Sequence, residues 1–145
     1  MPDKSFEYTI RFLQVNTSVG QVSLPIVTVI LYRPDGTRAS VPLIFDTGAT
    51  VTTLRKDLFP MLGLSSWNVG TAEDVDTVGG TTQCYRYEDV TLEVFGKEIH
   101  CPVTLSETFP YHPLYAGLLG REGVFQEFGF GFWEGSKELY VTLQP

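Results

Sequence analysis

The chain has 145 residues, 43% hydrophobic and 19% charged, with 14 Gly and 9 Pro, the profile of one ordinary globular domain spanning 1–145. A chain of this length buries about 68–70% of its unfolded surface, enough for a core without disulfides or metals, so disorder as the main state is excluded. The 17 acidic and 10 basic side chains give a net charge of -7, which repels phosphate backbones and anionic membranes and points to a peptide, protein or small-molecule partner instead, with no nucleic acid and no membrane.

Cys84 and Cys101 are too few for a disulfide framework and lack metal spacing, so a reduced compartment and no metal are expected. The segment MPDKSFEYTIRF carries charge where an export signal needs an unbroken apolar stretch. The most apolar run, Ile26 to Leu31, falls far short of the ~20 residues of a membrane helix. The expectation is a soluble, cytoplasmic protein.

In chain order, Phe6, Tyr8, Ile10 and Phe12 alternate with Glu7, Thr9 and Arg11, the period of a strand with one apolar face. Ile26 to Tyr32 and Val41 to Phe45 are rich in β-branched residues, and Arg33 to Gly36 supply turn chemistry between them, which predicts a hairpin. Thr50 to Leu54 reads as a short extended piece, and Arg55 to Leu62 as a brief helix that Pro60 limits to a turn or two. Gly79 and Gly80 mark the tip of a second hairpin, between Asp74 to Val78 and Thr81 to Tyr87. A third hairpin pairs Val90 to Val94 with Ile99 to Leu105 about a turn at Gly96 and Lys97.

Ser106 to Tyr115, with Pro110 and Pro113, reads as loop. The apolar Ala116 to Leu119 follows, then a short helix whose Val124, Phe125 and Phe128 share a face. Phe130 to Trp133, a turn at Glu134 to Lys137, and Leu139 to Leu143 complete the pattern. Many short strands, frequent turns and one or two short helices predict an all-β barrel or sandwich.

Most catalytic signatures are missing: there is no HExxH, no GxSxG and no GxxxxGK[ST]. His100 lies in an alternating strand and His112 in the proline-rich loop, and structural or surface roles suit both. What remains is Asp46, Thr47, Gly48 and Ala49, directly after the apolar Val41 to Phe45 and before Thr50 to Leu54. A D-[ST]-G tripeptide alone arises by chance in roughly one chain of this length in fifteen. The hydrophobic flanks add weight, because they predict a carboxylate at a turn tip buried among apolar residues, where it needs a partner or a proton.

The segment LIFDTGATVTTL resembles the active-site loop of the retropepsin-like aspartic proteases, the single-domain group that includes retroviral proteases. GLLGREGVF, with Gly117 to Arg121, resembles the apolar strand ending in Gly-Arg that leads into the family's helix. Between them, Val78 to Gly80 fall where the family has its flap hairpin, and VTLEVFGKEIHCPVTL matches the strand pair after the flap. The likeness spans roughly Ile26 to Trp133 and implies a closed, all-β retropepsin-like barrel with one or two short helices. It also implies an aspartic endopeptidase without a cofactor.

That chemistry needs two carboxylates sharing one proton, the arrangement for which pepsin-type enzymes are the worked example. The chain has one such motif, so the resemblance implies a homodimer, with a second Asp46 supplied across a two-fold axis. Asp46 is then the catalytic carboxylate, and Thr47 bonds the opposite loop. Gly48 lets a substrate backbone approach, and Ala49 floors the adjacent pocket. Val78, Gly79 and Gly80 cover the peptide, while Gly120 and Arg121 give structural support. Thr50 stands where retroviral members carry an aspartate that pairs with arginine and substrate backbone. Two other readings use the same residues: a non-catalytic peptide- or protein-binding module on this fold, and a β-sandwich in which Asp46 to Gly48 is only a turn.

Overall fold

The structure, a computed structural model, describes residues 6–77 and 79–144. Twelve strands form in chain order: β1 (Tyr8–Arg11), β2 (Leu13–Thr17), β3 (Gly20–Leu24), β4 (Ile26–Tyr32), β5 (Arg38–Phe45), β6 (Thr52–Arg55), β7 (Thr71–Thr77), β8 (Gly80–Val94), β9 (Lys97–Ser106), β10 (Gly117–Leu119), β11 (Phe128–Trp133) and β12 (Glu138–Leu143). Two 3-10 segments, Lys56–Leu62 and Phe125–Glu127, are the helical elements among the described residues. The protein is all-β, as its short alternating segments require.

The main sheet has seven strands in the order β4-β5-β10-β6-β9-β8-β7. It curls until β4 also meets β8, through Ile30↔Glu93 and Leu31↔Leu92. Alternation puts Val27, Val29 and Leu31 of β4, and Val41, Leu43 and Phe45 of β5, on the inner face with Leu54, Leu92, Val103, Leu105 and Leu119. Each fully buried leucine there contributes about 1.5–3 kcal/mol relative to exposure. A second sheet, β1-β12-β11, adds Leu139, Val141 and Phe128 to the same core.

The hairpin expected between β4 and β5 forms with Ile26↔Ile44 through Tyr32↔Arg38 in register. Asp35 closes its turn by accepting from the Thr37 amide at 2.9 Å and hydroxyl at 2.6 Å, and these bonds, the hydroxyl first, hold its carboxyl below the usual value. Gly36, at φ +85°, supplies the left-handed position of that turn.

Three local expectations need correction. The flap strand and the strand after it are one element, β8, running 15 residues with an irregularity between Tyr87 and Val90. Glu88 and Asp89 bulge out without breaking the ladder, because β9 pairs with both halves. The brief helix expected at Arg55 to Leu62 does form, as a 3-10 segment from Lys56 to Leu62 with Pro60 inside it, and it stops at Gly63, φ +73°. The helix expected near Val124 shrinks to Phe125–Glu127, and Phe128 instead opens β11, buried. Finally, β2 and β3 form a hairpin, Leu13↔Leu24 through Thr17↔Gly20, in a region with no expected element. No helix among the described residues is long and apolar enough to cross a membrane.

Candidate active site

Asp46 follows the last residue of β5, on the opposite parity from Val41, Leu43 and Phe45. Its side chain therefore turns away from the core and is half-buried, while Thr47, Gly48 and Thr50 are exposed. The expectation of a carboxylate buried among hydrophobes is corrected: the apolar flanks form the base of the loop, and the acid faces a cavity of about 660 Å³. The Gly48 amide donates to Asp46 Oδ1 at 2.8 Å, and the Ala49 amide donates to the Asp46 carbonyl at 3.3 Å, a tight turn that aims the carboxylate.

β10 locks this loop from beside it. Leu118 and Leu119 pair in parallel with Ile44 and Phe45, and the Asp46 amide donates to the Leu119 carbonyl at 3.2 Å. The Gly120 amide donates to the buried Thr52 hydroxyl at 3.0 Å. A Cβ on Gly120 would collide with the Val51 carbonyl group and lie 2.6 Å from the Thr52 nitrogen, so only glycine permits this approach. The amides of Arg121 and Glu122 donate to the carbonyls of Ala49 (3.0 Å) and Thr50 (2.8 Å). Support from Arg121 thus runs through its backbone; its guanidinium is exposed.

An aromatic cluster lies directly behind the acid. The buried Phe45 ring stacks on Phe125 at 5.0 Å and 9°, and meets Phe130 at 4.6 Å and Phe132 at 5.5 Å. These contacts join the loop to β11.

The β7–β8 hairpin forms the roof, pairing Thr71↔Arg86 through Thr77↔Gly80. Val75, Asp76 and Gly79 line the cavity together with Asp46, Gly48, Ala49 and Thr50. Gly80 takes φ +118° at the start of β8; Val78 lies outside the described residues. Val75 pairs with Thr82, whose hydroxyl bonds Thr108 at 2.5 Å, and Thr108, Phe109 and Pro110 make the facing wall. The candidate residues Asp46, Gly48, Ala49, Thr50 and Gly79 thus meet at one cavity, while Gly120 and Arg121 brace it from behind.

Two features escaped the sequence reading. Arg86, at the base of the roof, donates to Glu88 at 2.6 Å and Glu122 at 2.7 Å, joining β8 to the segment after Gly120. Glu122 first and Glu88 second raise the pKa of Arg86. The Thr82–Thr108 pair is the other. The Arg86–Glu122 and Thr82–Thr108 bonds join residues far apart in sequence, and only Glu88, two residues from Arg86, was a visible signal.

Cys84 and Cys101 are free and buried. Burial raises the Cys84 thiol, which lines the cavity, and pushes Cys101 up to about 12, with Glu122 adding to the effect. Neither is poised as a nucleophile. Among the described residues, no group of three or more His, Cys, Asp or Glu side chains is placed to hold a metal ion.

A family model described as aspartyl protease matches residues 27–122, more than half of the chain, covering both the Asp46 loop and the Gly120–Arg121 motif. The chain belongs to this aspartyl protease family, which is of retropepsin-like type. A search of curated proteins finds no match.

Proposed function

We propose that the protein is an aspartic endopeptidase that works as a homodimer, hydrolysing peptide bonds with water held between two Asp46 carboxylates. The observation that carries this reading is the single Asp46, aimed by the Gly48 amide into a cavity roofed by a β-hairpin. An extended peptide in that cavity would lie between the Gly48 side and the β7–β8 roof, where strand-like hydrogen bonds hold backbone independently of sequence. In the pair, one carboxylate is ionised and polarises the water, and the other keeps its proton and donates it to the scissile carbonyl.

One chain supplies half of that pair, so the second copy is part of the mechanism. Thr47 is exposed, and its hydroxyl has no hydrogen-bond partner among the described residues, which leaves it available to the opposite loop. In this reading the curled seven-stranded sheet serves as the closed barrel of the fold.

The test is digestion of a denatured protein and a peptide library by wild type and Asp46→Asn, with sedimentation on the same samples. Cleavage confined to wild type and to the dimer is expected. Equal cleavage by both proteins, or full activity in a strict monomer, would overturn the assignment. A folded dimer that binds peptides without cutting them would replace it with the binding-module reading.

A further inference from the structure

The loop from Glu107 to Ala116 carries the cavity wall, and a histidine bonded at both ring nitrogens holds it. The Leu114 amide donates to His112 Nδ1 at 3.0 Å. His112 Nε2 lies 3.3 Å from the Asn16 carbonyl oxygen of β2. A ring nitrogen that accepts from an amide carries no proton, and one that bonds a carbonyl oxygen must carry one. The two bonds together therefore admit one state of the ring, the neutral imidazole protonated at Nε2.

The ring is also tied to the wall. It stacks on Tyr115 at 4.4 Å and 5°, and Tyr115 meets Phe109 edge-on at 6.3 Å. Phe109 and Pro110 face the same cavity as Asp46, and Thr108 bonds Thr82 of β8.

We propose that His112 is an acid-sensitive lock on the wall of the Asp46 cavity. The neutral ring holds the loop as described. A second proton, taken up at Nδ1, places an N–H against the Leu114 N–H, removes that amide's acceptor and releases the loop. Imidazoles change charge between about pH 5 and 8, the interval in which such a lock is useful.

Among the described residues, none of the ion pairs supplies the new charge with a counter-ion. β2 presents the neutral Asn16 carbonyl. β6 presents Arg55, a cation 4.8 Å from the Tyr111 ring centroid and paired with Asp57. Glu107 stands at the far end of the loop, and His112 takes part in none of the ion pairs of the described residues. The lock stands without the peptidase reading; its effect on cleavage rests on that reading.

The experiment is NMR on the 15N-labelled full chain from pH 8 to pH 5, with His112→Gln beside wild type. The His112 ring is expected as the Nε2–H tautomer at pH 8, with the Leu114 amide shift following the ring's titration. Leu114 hydrogen exchange, corrected for its intrinsic pH dependence, should rise about fivefold, the factor that one net hydrogen bond supports. His112→Gln should remove the titration of the Leu114 amide. An Nδ1–H ring at pH 8, or a Leu114 amide that stays fixed while the ring titrates, overturns the lock. The ratio of kcat/KM at pH 5 to that at pH 7.5 should differ between the two proteins, and identical ratios overturn the link to the cavity. No cleavage by wild type at any pH refutes the peptidase reading alone, and the NMR result still decides the lock.

Discussion

Gly120→Ala tests how the Asp46 loop is held. The added methyl group would overlap the Val51 carbonyl group and sit 2.6 Å from the Thr52 nitrogen. These are backbone atoms of a segment entering β6, which pairs on one side with β9 and on the other with β10, so they cannot swing aside as a side chain would. Overpacking of this kind costs about 1–3 kcal/mol. Pushing Gly120 away also lengthens its buried bond to the Thr52 hydroxyl, adding about 0.5–1.5 kcal/mol. Together they amount to about 1.5–4.5 kcal/mol. At about 2–4 °C per kcal/mol for a chain near this size, Tm should fall by about 3–18 °C. Urea unfolding at pH 7 measures the free energy, and a circular-dichroism melt measures the shift. A loss under about 0.5 kcal/mol would refute the argument, since the β10 approach would then be slack. Thr52→Val checks it independently: the amide loses its acceptor without steric change, which costs about 1–3 kcal/mol.

Cys101 should give the fold an alkaline limit. Its thiol is raised from 9.0 to about 12 by burial, so between those values the unfolded chain binds fewer protons and stability falls as pH rises. By pH 12 the loss reaches at most about 4 kcal/mol, and Cys101→Ala should flatten that limb in urea melts taken from pH 8 to 11. Asp35 acts in the opposite range. Its carboxyl is lowered by Thr37, so its contribution is present above the unfolded value of 3.8 and is lost as pH falls through the folded one; Asp35→Asn should remove that acid-side slope. Leu119→Ala, at a side chain with 0% exposure between β5 and β6, should cost about 2–5 kcal/mol by chemical denaturation. Thr108→Val breaks the bond to Thr82 that fastens the wall to the roof, and should raise KM for peptide cleavage more than it lowers kcat.

Period-two alternation made much of the fold readable. β9 carries Ile99, Cys101, Val103 and Leu105 on one face and buries all four, as the pattern demands, whereas β4 and β5 were readable from their β-branched content and the turn between them. Leu13, Val15, Val22 and Leu24 also alternate, but only Val15 is buried and Leu13 is 46% exposed. That hairpin is held by its own ladder more than by the core, and its signal is correspondingly faint. The union of two expected strands into β8 was hidden because Glu88 and Asp89 resemble a break, although β9 spans it. At the site, Asp46, Gly48 and Gly120 were visible as residue types with a stated need. The half-burial of Asp46 was not, because flanking hydrophobicity reports on the strand while the parity of one residue decides where the carboxylate faces. Ties between residues far apart in the same chain, such as Arg86–Glu122 and Thr82–Thr108, leave no local pattern to read.

The ring cluster behind Asp46 has a consequence for timing. Phe45 rests on Phe125, Phe130 and Phe132, and the acid's own amide is held by Leu119. Apart from the local turn made by the Gly48 and Ala49 amides, the groups that back the loop, Leu119, Phe125, Phe130 and Phe132, come from more than seventy residues later in the chain. During synthesis β4 and β5 can zip as a hairpin early, but the Asp46 loop then has neither floor nor side wall. It acquires them only when the segment through Phe132 has emerged and docked, the slow, non-local step of a β-rich fold. A nascent chain thus carries the motif in an unassembled form, and the site matures together with the last strands.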